Sequence, residues 1–147
     1  MKIKKIVALT AACAMLSSAA GCQIITIDGE GTAEVGENGV VGNGAIGLSV
    51  STLNNPFFVS LAEGAQAEAE EKGAKLITVD AGDDAAKQTN DVEDLVSRNV
   101  SVLIVNPVDS DAVAPAVKDA ISKGIKVISV DRVVNGVDVD CQIASDN

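Results

Sequence analysis

The chain has no histidine, no tryptophan and no tyrosine, and its only aromatic residues are the neighbours Phe57 and Phe58. Without an imidazole there can be no Ser-His-Asp triad, no histidine general base and no HExxH zinc site. Cations are scarce as well, with 11 Lys and Arg against 21 Asp and Glu and a net charge of −10. That balance argues against a nucleic-acid partner, because neutralising phosphates needs a surplus of basic side chains on one face. No dinucleotide cofactor is implied either. Gly42 to Gly47 (GNGAIG) spells G-x-G-x-x-G, but that fingerprint needs a strand before its glycines and a helix after them. Here a Gly-rich stretch precedes and an apolar run follows. What remains is 147 residues, one domain's worth of chain and enough for a real core.

The first 21 residues read as an export signal. Lys2, Lys4 and Lys5 precede an apolar run from Ile6 to Leu16, eleven residues long, where a bilayer span needs about 20. Small residues follow, and Ala19-Ala20-Gly21-Cys22 resembles a bacterial lipobox, departing from it in having Ala19 where leucine is usual. Lipidation of Cys22 is expected, with ordinary cleavage around Ser18–Ala20 as the alternative. Cys13 leaves with the signal, so Cys141 has no disulfide partner and is expected as a small buried side chain in a strand. Residues 22–44 are Gly-rich and acidic, with Gly29, Gly31, Gly36, Gly39, Gly42 and Gly44 among Glu30, Glu34 and Glu37. They read as a flexible tether lifting a domain off a membrane surface.

From Ala45 onward the pattern is regular. Short β-branched runs recur at Ala45–Ser51, Lys75–Asp80, Val100–Asn106 and Lys126–Asp131, nearly continuous in apolar character as strands covered on both faces should be. Amphipathic stretches lie between them at Pro56–Lys72, Asp84–Arg98 and Asp111–Lys123, the first opening with proline and closing at Gly73. This is a series of βα units, and right-handed crossovers make it an α/β fold: a parallel sheet with helices on both faces. The acidic pairs Asp83-Asp84 and Asp109/Asp111 fall at helix starts, where carboxylates cap free N–H groups. They are read as caps, not as metal ligands.

Ligands of open α/β sheets bind beyond the carboxyl ends of the strands. The residues arriving there are Ser51 with Asn54-Asn55-Pro56-Phe57-Phe58, then Asn106, then Asp131-Arg132. A carboxylate, a guanidinium, amides and a flat ring suit a neutral polyhydroxyl ligand, with hydroxyls on the polar groups and C–H faces on the ring. The plainer alternatives are that both phenylalanines fill the core and that Asp131 and Arg132 pair with each other.

The stretches Ser51–Gly73 (STLNNPFFVSLAEGAQAEAEEKG), Val105–Val113 (VNPVDSDAV), Val127–Arg132 (VISVDR) and Ile143–Asn147 (IASDN) closely resemble periplasmic ribose-binding proteins, the type I substrate-binding components of sugar ABC importers. The resemblance is continuous from about Ala45 to Asn147. It implies a Rossmann-like lobe, residues 45–147, that closes on a monosaccharide, D-ribose first, and delivers it to a membrane permease. Asn55, Asp131 and Arg132 then match hydroxyl-binding positions, and Phe57 and Phe58 match aromatics packed on the sugar ring. Ser51 and Asn106 match cleft-lining positions, and Ser145 lies where the family's chain crosses to a second lobe. The chain stops there, so it is expected to carry one side of the cleft and to expose apolar surface. A lobe signalling to a chemoreceptor, or a remnant that binds nothing, is the alternative. An enzyme is not expected, since no nucleophile–base pair or phosphate loop is present.

Overall fold

The computed structural model describes residues 44–144. The expected signal and tether, with Cys22 and Ser145, lie outside them. Five strands, β1 (Ile46–Val50), β2 (Leu76–Asp80), β3 (Val102–Val105), β4 (Lys126–Val130) and β5 (Cys141–Ile143), alternate with three helices, α1 (Pro56–Glu71), α2 (Ala85–Ser97) and α3 (Ala114–Ser122). The strands form one sheet in the order β2-β1-β3-β4-β5, and every pairing is parallel. The carboxyl ends of β1, β3 and β4 therefore lie side by side.

Successive side chains of a strand point to opposite faces, and the register sorts them into rows. Leu103, Val105 and Val127 join Val92, Leu95 and Val96 of α2 and Val113, Ala116, Val117 and Ala120 around α3 in the main core. Leu48, Ile104, Ile128 and Val130 face the other way, toward Leu61 and Ala65 of α1, and with Ile143 they line an apolar groove of about 210 Å³. Helices thus stand on both faces, two on one and one on the other. The groove offers no polar group to orient a ligand and is not a sugar site.

Local signals set the helix ends. Asn55 and Asp84 accept from the first free N–H groups of α1 and α2. At the end of α1, Ala74 N–H donates to Ala69 O (2.8 Å) and Gly73 N–H to Glu70 O (3.1 Å). Gly73 takes φ +67°, the left-handed closure that a residue without Cβ adopts freely. Gly124 closes α3 in the same way. The start of α3 differs from expectation. Asp109 accepts from Asp111 N–H (2.9 Å) and Ala112 N–H (2.8 Å), capping a turn over residues 111–113, and the helix opens only at Ala114. Asp111 instead accepts from Asn135 Nδ2 at 3.0 Å.

Gly47 is required by close approach. A Cβ there would lie 3.0 Å from Leu95 Cδ1 and 3.2 Å from Cδ2, and Leu95 is fully buried. Gly47→Ala is expected to destabilise the domain by about 1–3 kcal/mol. Gly64→Ala, in the interior of α1 with open space around it, is expected to stabilise by about 0.5–1 kcal/mol. Urea titrations of the two variants check both signs.

β5 is not among the β-branched runs; Cys141 lies in a strand as expected, but it is exposed, not buried. The strand is short and lies at the sheet edge, so no neighbour covers that thiol. Its anchor is Asp140, whose carboxylate accepts from Lys126 Nζ (2.8 Å) and Val127 N–H (2.9 Å). The Lys126 hydrogen bond first, and the Val127 N–H second, hold this carboxyl below the usual range. A carboxyl lowered in the folded state contributes stability above its unfolded pKa of about 4 and loses that contribution as pH falls through the lower folded value. Exchange of the Asp131 amide, which donates to Ile143 O, is thus expected to quicken below about pH 4, over and above the change in intrinsic rate. In Asp140→Asn that extra acid dependence should vanish.

Candidate sugar-binding edge

The edge is built by the residues that follow β1, β3 and β4. Asn106 pins the three ends together. Its Oδ1 accepts from Ser51 N–H (3.1 Å), its Nδ2 donates to Val130 O (3.0 Å), and its own N–H donates to Ser49 O (2.8 Å). It is 0% exposed. Asn106 and the buried Ser51 were expected to line the cleft. The structure instead places the Asn106 amide beneath the edge, with both its polar atoms engaged in the protein.

The pin sets the starting point for Asp131. Immediately after Val130 O is fixed, Arg132 N–H donates back to that same carbonyl (2.8 Å), closing a three-residue turn around Asp131 at φ +68°. A non-glycine residue there is held in a sparsely populated conformation that costs of order 1 kcal/mol or more. The Asp131 amide donates to Ile143 O at 2.7 Å. Its carboxylate has no hydrogen bond or ion pair among the described residues, although Arg132 is its neighbour. The guanidinium turns away, with Nη1 donating to Val108 O (2.8 Å) and more loosely to Pro107 O (3.4 Å). The local ion pair considered from sequence does not form, and the remaining Arg132 donors stay available.

The two phenylalanines part company. Phe57 is 53% exposed and Phe58 8%, with ring centroids 5.2 Å apart and planes at 74°. Consecutive residues at a helix start point about 100° apart, so one ring enters the core and props the other edge-on. Both rings were expected against the sugar; Phe58 is largely buried at the start of α1, and Phe57 offers the more exposed ring face. Asn55 is exposed and accepts from Phe57 N–H (3.0 Å) through Oδ1, which leaves its amide N–H groups free to donate.

Sequence reasoning overlooked several contributors. Asp80, closing β2, accepts from Leu53 N–H (3.2 Å) and Gly82 N–H (2.9 Å) and so ties the loop after β1 to the end of β2. An aspartate before Ala-Gly was a legible turn signal. Leu53 and Val133 sit exposed on the loops after β1 and β4, adding apolar surface to the same edge. Gln88 of α2 is fully buried beneath it. No cluster of residues able to hold a metal ion occurs among the described residues.

A family model for a periplasmic binding protein domain matches residues 46–147. The chain belongs to the periplasmic binding protein family. Over 102 residues it is 52% identical to the ribose import binding protein RbsB of Bacillus subtilis (strain 168), an alignment covering 69% of this chain and 33% of that protein. Among solved structures, a solute-binding protein of an ABC transporter from Mycobacterium smegmatis with bound glycerol is similar at 46% identity and TM-score 0.60, over 63% of this chain and 32% of that one. The Caulobacter myo-inositol binding protein bound to myo-inositol is similar at 34% identity and TM-score 0.63, over 67% and 34%. The chain spans about a third of the length of the relatives it matches. Its five-stranded parallel sheet is the architecture of a type I periplasmic binding protein lobe.

Proposed function

We propose that this chain is the substrate-binding component of an ABC-type sugar importer and that its residues form one wall of a site for D-ribose. In this reading it works outside the cytoplasmic membrane, held there by a lipid on Cys22 and a tether over residues 22–44, and hands the sugar to a membrane permease. The observation that carries the reading is the Asp131 carboxylate, which a strained turn after β4 sets at the carboxyl edge of the sheet with no hydrogen bond or ion pair among the described residues. A carboxylate that finds no protein partner can accept from two adjacent hydroxyls, and an exposed phenyl face suits the C–H side of a sugar ring. The RbsB relatives, named for ribose import, support ribose as the sugar. Asn55 adds a donor, and Ser145 remains a contributor by resemblance.

Saturation-transfer NMR with D-ribose in millimolar excess tests this. Saturation is expected to pass from the Phe57 ring to ribose C–H protons and to be lost in Asp131→Ala. Asp131→Gly should lose it too while keeping or gaining stability, because glycine relaxes the turn. Absence of transfer in the unaltered chain, or equal transfer in Asp131→Ala, would overturn the proposal.

A further inference from the structure

Gln88 breaks a rule of its own helix. The buried side chains of α2 are Gln88, Val92, Leu95 and Val96, an i, i+4, i+7, i+8 stripe in which every position calls for an apolar residue. A fully buried amide is tolerated only when its polar atoms are paired, and here they are. Nε2 donates to Asn106 O (2.8 Å) and to Ser49 Oγ (3.3 Å), and Oε1 accepts from Val108 N–H (2.7 Å). The side-chain amide thus grips a carbonyl and an N–H two residues apart, as a neighbouring strand would. The segment needs such a partner. β3 has ended at Val105, β1 has turned away after Ser51, and Pro107 has no N–H to offer.

The outer side of that segment carries the functional consequence. Val108 gives its N–H to Gln88 and its carbonyl to the Arg132 guanidinium at 2.8 Å, with Pro107 O at 3.4 Å. We infer that Gln88 is a positioning residue of the sugar-binding edge, fixing segment 106–108 so that its carbonyls hold the Arg132 guanidinium in place for ligand. The inference rests on the proposed sugar site for its purpose, but its geometry can be tested without sugar. Gln88 touches no ligand itself, being 0% exposed.

The test is 15N NMR on the whole chain with three variants. Gln88→Met keeps the side-chain shape and removes both polar atoms. Gln88→Glu keeps the acceptor for Val108 N–H and serves if the methionine variant folds poorly. Val92→Ala, one turn along the same helix, lowers stability without touching the segment. In Gln88→Met the Val108 amide is expected to exchange about tenfold faster or more, the loss of one buried hydrogen bond, and the Arg132 Nε signal should lose its order. Gln88→Glu should keep Val108 protected and Arg132 ordered. Val92→Ala should leave both signals as they are despite a lower melting temperature. Retention of Arg132 order in Gln88→Met, or the same loss in Val92→Ala, would overturn the inference. A ribose titration runs alongside: no ribose response in the unaltered chain counts against the sugar reading, while the Arg132 and Val108 signals decide the role of Gln88 independently.

Discussion

A chain carrying Asn106→Leu is expected to unfold at a temperature lower by about 10 °C or more than the unaltered chain. Leucine keeps the branch point of the side chain but is larger and has no polar atom, so overpacking adds to the lost hydrogen bonds. It strands the Ser51 N–H, which donates to Asn106 Oδ1, and takes one of two donors from the Val130 carbonyl, which keeps the Arg132 N–H. A buried N–H left without a partner costs about 1–3 kcal/mol and the lost second bond to Val130 O adds roughly 0.5–1.5 kcal/mol, giving about 2–4 kcal/mol together. Domains of this size are stable by only about 5–15 kcal/mol, so the effect is a large share of the whole. Asn106→Asp refines the prediction. It keeps an acceptor for Ser51, but it can donate to Val130 O only when protonated, so its deficit should shrink as pH is lowered. A melting curve of Asn106→Leu within about 1 kcal/mol of the unaltered protein would show that the three strand ends hold together without the pin.

The second large effect concerns affinity. Calorimetry on residues 23–147 is expected to give a ribose dissociation constant in the millimolar range or no measurable binding. The wall seen here offers the Asp131 carboxylate, the free donors of Arg132 and Asn55, and one face of Phe57. Four hydrogen bonds that compete with water contribute on the order of 1 kcal/mol each, and a millimolar site is worth about −4 kcal/mol. A micromolar site needs about −8 kcal/mol, which calls for a second set of groups closing over the sugar and excluding water from the first. A dissociation constant below about 10 µM would contradict this and would mean that the one wall suffices.

Much of this architecture was legible because the signals were local. The β-branched runs, the proline at the start of α1 and the glycine after it place three helices and four strands to within a few residues. β5 was not legible, because Cys-Gln-Ile has no pattern of its own and is a strand only through its pairing with β4 and the grip of Asp140. The site was half legible for the same kind of reason. Asp131 and Arg132 could be placed at a strand end, but not the turn that separates carboxylate from guanidinium. Phe57 and Phe58 look equivalent in sequence, and only the packing of α1 decides which ring is the more exposed. Asn106 looked like a ligand contact because it is polar and ends a strand. Its actual partners are 55 and 24 residues away, and no window along the chain contains them. Gln88, like Asp80, was a missed residue with a readable clue, a lone amide in an apolar stripe.

Because every strand runs the same way, the domain has an entrance pole and an exit pole. The backbone comes in at Gly44, before β1, on the side away from Asp131 and Phe57, and after Ile143 it emerges beside Asp131, whose amide is bonded to the Ile143 carbonyl. Cargo attached at the Gly44 pole therefore leaves the mouth clear, while the same cargo attached directly after residue 144 starts one residue from the strand that frames it. For immobilisation on a sensor surface or attachment of a fluorophore, the leading end is the end to use.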